Sequence, residues 1–220
     1  MSLESPEPVA PDGAGRETNP DPRAGGGQRR RLIDDPLAIR ALAHPIRLKL
    51  QSIIARAGQI TAADAARELG ISHGLASHHL RQLAKYGFVH QVEGADHRER
   101  PWQVVHTSHS IEDAQDKPGV AEALAVLEQV AAEQALEELG GWQQIRASWS
   151  PGWRQSSGVG RHAVYLTEDE LGRLMEAFDG LVTEYVEQRP IDDVTSRPAG
   201  SRAVSMTLIV APRAPTSAEL

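Results

Sequence analysis

The chain has 220 residues, 40% of them apolar but only 4% aromatic, and a formal net charge of −7. That allows one ordinary domain plus a second element, or two small domains, around an aliphatic, alanine-rich core. No cysteine is present, which excludes disulfides, thiolate metal sites and thiol redox sensing, and no apolar run approaches the roughly 18 residues that cross a bilayer.

Residues 1–33 hold five prolines, the run Gly25-Gly26-Gly27 and few apolar groups. Such a tail buries too little surface to offset its ordering entropy and is expected to be disordered. Arg29, Arg30 and Arg31 end it, either as a basic arm that touches a polyanion or as a solvated terminus. A folded domain is expected over residues 34–107. Asp34 or Asp35 caps a helix that begins at Pro36, with Leu37, Ala41 and Leu42 inward. Pro45 breaks the path, and a second helix carries Ile46, Leu50, Ile53 and Ile54 on one stripe to a glycine stop at Gly58.

The stretch TAADAARELGISHGLASHHLRQLAKY then reads as two short helices joined by a tight turn. Thr61 and Asp64 have the layout of an N-cap with an acidic partner. Ala62, Ala65, Ala66 and Leu69 form the apolar side, Gly70 supplies a left-handed stop, and Ile71 plugs the corner. Ser72 is a second N-cap, with Ala76, Leu80 and Leu83 behind it at helical spacing. Opposite that stripe lie His73, Gly74, Ser77, His78, Arg81 and Gln82, a polar face without one acidic residue. A helix that enters a major groove needs such a face: close approach near its start, groups for base edges and phosphates, and nothing negative. Residues 88–92 and 102–106 have strand propensity, and the polar stretch between them reads as a hairpin tip in which Arg98 and Arg100 are placed to grip phosphate.

Charge follows the same division. Residues 40–106 carry nine basic and five acidic side chains, whereas residues 107–220 carry nine basic and eighteen acidic ones. Affinity for nucleic acid depends on the local patch and not on the total.

Residues from about 36 to 106 resemble the ArsR-type winged-helix transcriptional regulators. The stretches that carry the likeness are ALAHPIRLKLQSI, AARELGISHGLASHHLRQLAKYGFV and the wing ending RERPW. The resemblance implies a homodimer on a palindromic operator, with the helix that starts near Ser72 in the major groove. A repressor is the expected outcome, and with no membrane-spanning run and no hydrophobic N-terminal signal segment a bacterial, cytoplasmic setting is expected. Metal-sensing members carry a cysteine-containing motif before the recognition helix, where this chain has Ala65-Ala66-Arg67-Glu68-Leu69. A histidine site fares little better: His73 and His78 are five apart, and adjacent His78 and His79 diverge by about 100°. No metal is expected.

A long dimerisation helix is expected over residues 116–150. Asp116 would cap it, Pro118 would sit in its first turn, and Val120, Leu124, Leu127, Ala131, Ala135, Leu139, Trp142, Ile145 and Trp149 would form its stripe. A second subunit is its natural partner. Residues 151–220 read as a small strand–helix–strand unit: a strand at 161–166, a helix capped by Thr167 and Glu170, and a strand at 203–210, before a frayed end. Trp142, Trp149, Tyr165, Phe178 and Met206 would line a cleft for any small-molecule effector, or simply pack.

The expected fold class is α+β, mainly α. No phosphate loop, dinucleotide fingerprint or nucleophile elbow is present, so no catalytic residue and no cofactor are expected. The expected partners are double-stranded DNA, a second copy of the chain and, where one exists, a small effector, with no membrane. A ligand-free architectural DNA binder, or a small-molecule-binding or enzymatic C-terminal module with a DNA-binding appendage, is the alternative.

Overall fold

The structure is a computed structural model that describes residues 31–92, 100–105, 109–110, 117–190 and 193–213. It is mainly helical with two small two-stranded sheets. The chain enters through β1 (Arg31–Leu32), and α1 (Pro36–Leu42) follows, with the Asp35 carboxylate accepting from the Leu37 amide at 2.9 Å. The proline at the first helical turn has no amide to satisfy, which suits that place. α2 (Pro45–Ala57) repeats the device with an unusual cap: His44 Nδ1 accepts from the Ile46 amide at 3.2 Å. Gly58, at φ +80°, ends it.

α3 (Ala62–Leu69) starts at Thr61, whose hydroxyl accepts from the Asp64 amide, and stops at Gly70 in the left-handed region, φ +66°. After the turn, Ser72 caps α4 (His73–Lys85) by accepting from the Leu75 amide at 3.2 Å. β2 (Val89–Gln91) then pairs antiparallel with β3 (Trp102–Val104), Val89 opposite Val104. On its other edge β3 bridges Ile60 through two backbone hydrogen bonds, which ties the hairpin to the start of the helical pair. β4 (His109–Ser110) runs parallel to β1.

One core holds these elements. Leu50 and Ile54 of α2, Ala65 of α3 and Leu80 and Leu83 of α4 meet Phe88 and Trp102, while Ile39 and Leu42 of α1 meet Val120 and Ala123 of α5 (Val120–Ile145). Ile33, only 2% exposed, joins the same core. Residues 31–33 therefore belong to the fold, and the rest of the stretch expected as a tail lies outside the described residues. Leu37, expected inward, is exposed, and Ala38 and Ile39 take the buried side of α1.

The C-terminal half departs further from the sequence reading. α5 begins at Val120 behind Gly119, whose φ of +78° favours glycine, so Pro118 lies before the helix and not in its first turn. Asp116 lies outside the described residues. The helix ends at Ile145, short of Trp149, and a 3-10 turn, Arg146–Ser148, leads to α6 (Pro151–Ser156). Pro151 has no amide to continue the ladder, and the Ala147 carbonyl accepts instead from the Arg154 guanidinium at 3.5 Å. α7 (Glu168–Gln188) has the expected capping box between Thr167 and Glu170. The strands expected at 161–166 and 203–210 do not form: both segments lack regular structure and are exposed. Neither run finds a backbone ladder among the described residues, and β-propensity without a paired edge makes no strand. Among the described residues none after Ala123 is buried.

Candidate nucleic-acid interface

α4 shows two contrasting sides. Ala76, Leu80 and Leu83 are fully buried against the core, which fixes the helix's rotation about its own axis. The opposite side presents Ser72, His73, Gly74, His78 and Arg81 to solvent, with Ser77 and Gln82 half-buried beside them. His73 Nε2 lies 3.5 Å from Ser77 Oγ, one turn along. A side chain at Gly74 would meet nothing within 4 Å, so the start of the helix is open to a large partner. The helix N-terminus adds its own positive end to this surface, with no acidic residue in the first turn to cancel it.

The two acids of α3 are neutralised where they stand. Asp64 pairs with Arg67 at 2.7 Å, and Glu68 pairs with Arg56. Hydrogen bonds from Thr61 and then Arg67 hold the Asp64 carboxyl below the usual carboxylate range. Arg100 is exposed at the base of the β2–β3 hairpin, whereas Arg98 lies outside the described residues. The structure thus brings the α4 candidates onto one face.

Two further residues of this region lie outside the expected contact face. Leu75, in the first turn of α4, is 39% exposed and offers an apolar group beside His78. His79 is buried at 6% exposure and packs its ring on His44, with centroids 4.5 Å apart. Burial pushes His79 down to about 4, with His44, Arg47 and His78 adding to the effect. Burial likewise lowers His44, and Arg47 reinforces the shift. The signal available in the sequence was the 100° step per residue: with His78 outward, His79 has to turn toward the helix that carries Arg47.

A family model described as a helix-turn-helix domain matches residues 42–92, the span from the end of α1 to the close of β2. The match supports a DNA-binding regulator of transcription. The helix-turn-helix covers less than a quarter of the chain, so the match speaks for that part. A search of curated proteins gives no match.

The five residues expected to line an effector cleft are not gathered into one. Trp142 meets Trp149 edge to face at 5.4 Å, and Trp149 meets Trp153 at 5.8 Å. Tyr165 is 94% exposed and Met206 is also exposed, while Phe178 lies half-buried on α7. Among the described residues no group of three or more histidines and carboxylates could hold a metal ion. No helix there is long and apolar enough to cross a membrane.

Proposed function

We propose that the protein is a sequence-specific, ArsR-type repressor that acts as a homodimer on a palindromic operator in a bacterial cytoplasm, without enzymatic activity. The observation that carries this reading is the α4 face: capped, braced from behind, free of acid and open at its start. In this proposal Ser72, His73, Gly74, Ser77, His78 and Arg81 enter the major groove. Gln82, Arg98 and Arg100 take phosphates, and Leu75 offers an apolar contact of the kind a thymine methyl accepts. The α4 helices of two subunits then enter successive major grooves about 34 Å apart.

The homodimer is supported by what α5 leaves uncovered. α1 packs on its first turns and α2 on its middle, where Lys49 pairs with Glu137 at 2.7 Å. Val126, Leu136 and Ile145 stay exposed along its length. A small molecule that reaches α5 would be the controlling signal.

Selection of bound genomic fragments with the purified protein tests the proposal. A sharp motif with two inverted half-sites is expected, and Arg81→Ala should weaken binding to it by about 5- to 150-fold, since a good base contact contributes about 1–3 kcal/mol. Unselective recovery of fragments, or an Arg81→Ala protein that binds as before, would remove α4 from the groove.

A further inference from the structure

Four parts of the chain meet around one concave space of about 270 Å³. Leu48 and Ala55 of α2, Val104 of β3 and Ala131 and Ala135 of α5 give it an apolar wall. Gln51, Ser52, Gln134, Glu138, Ser205 and Thr207 supply the polar groups, the last two from the segment that follows α7. We propose that this cleft binds a small amphiphilic amine, its hydrocarbon body on the alanines and its ammonium at Glu138 and Gln134.

The charge of the wall selects the ligand class. Among the described residues no lysine, arginine or histidine lines the cleft and Glu138 is its only ionisable group, so an anion would enter without a counter-charge from them. Gln134 narrows the choice further. Its amide nitrogen donates to Ser52 Oγ at 3.3 Å and to Glu138 Oε1 at 3.0 Å, while its carbonyl oxygen is buried without a hydrogen-bond partner among the described residues. A buried acceptor in that state is costly, and only a donor relieves it. An ammonium held at the Glu138 carboxylate brings such a donor to the Gln134 oxygen as well. The dimensions suit a molecule below drug size.

Occupancy would clamp α5 against α2 and against the β3 strand that carries the hairpin. A ligand held there ties the helix proposed for dimer contact to the hairpin beside α4. That regulatory consequence rests on the DNA-binding reading above; the site itself does not.

Methyl-labelled alanine in the full-length protein reports on the cleft directly, through Ala131 and Ala135. Benzylamine, benzyl alcohol and benzoate share one hydrocarbon body and differ in charge. Benzylamine should shift both methyl signals to saturation at neutral pH, benzyl alcohol should do so about tenfold more weakly, and benzoate should leave them in place. Glu138→Gln should reduce benzylamine to the affinity of the alcohol, and Ala135→Leu, which fills the space, should abolish the shift of the remaining Ala131 signal. Unmoved methyl signals, equal binding of benzoate, or a Glu138→Gln protein with unchanged benzylamine affinity would each overturn the proposal. The titration contains no DNA, so a protein that ignored duplexes would sink the regulator reading and leave this one standing.

Discussion

His79 faces away from the groove, yet it governs how α4 is seated. Its ring lies between His44, which caps α2, and Arg47, whose guanidinium donates to the Arg40 carbonyl at 3.1 Å. His79 Nδ1 and Arg47 Nε are both buried without a hydrogen-bond partner among the described residues. A proton on His79 would place a second cation beside Arg47, and a proton on His44 Nδ1 would cancel the α2 cap. Both imidazoles are therefore held neutral, and His79 is depressed from 6.5 to about 4. A depressed histidine stabilises the fold fully above its unfolded value of 6.5. That contribution is lost as the pH falls from 6.5 towards 4, because the unfolded chain takes the proton first. At roughly 1.4 kcal/mol per pH unit, the loss from His79 should be at most about 3.5 kcal/mol. Thermal melting of the wild type should drop across this window, and the drop should shrink in His79→Leu, which keeps an apolar filling and removes the titrating group. Parallel pH curves for the two proteins would show that the ring stack is not the acid-sensitive element.

Among the elements, those defined by local chemistry were legible and those defined by a distant partner were not. Thr61, Ser72 and Thr167 cap the helices they precede, and Gly58 and Gly70 end the helices they follow, because a cap needs only a side-chain oxygen and two or three amides nearby. The α4 face could be read because a helix's sides follow from spacing alone. Residues 161–166 and 203–210 have the composition of strands, but composition names no edge to pair with. The end of α5 was misplaced for a related reason: its apolar spacing runs on through Trp149, while the backbone is interrupted ahead of Pro151. The same helix carries a test of the homodimer. Leu136 is 68% exposed, so Leu136→Asp costs little in an isolated subunit and much in a seam between two. Light scattering should give the wild type near twice the 23.9 kDa of the chain and the variant near that mass, with melting of the variant's helices retained. A variant that stays dimeric would move the contact off this side of α5.

At the scale of the molecule, charge is distributed unevenly. Residues 40–106 hold nine basic and five acidic groups, and the two acids of α3 are paired with arginines. The eighteen acids beyond residue 106 outnumber nine basic groups and give the chain its net −7. A duplex is drawn to the first region and repelled by the second, which favours one approach over a diffuse one. Binding through phosphates releases counterions, so affinity should fall linearly with salt on logarithmic axes, by a slope of about −0.9 per phosphate neutralised. Arg100, exposed at the base of the hairpin, is proposed to reach a phosphate and not a base. Arg100→Ala should therefore weaken operator and unrelated DNA alike and reduce the slope by about one. Arg81→Ala should behave differently, losing the operator's advantage over unrelated DNA. Anisotropy titrations of both variants from low to moderate salt separate the two roles. A wild-type slope in Arg100→Ala would place the hairpin away from the backbone, leaving α4 to hold the duplex alone.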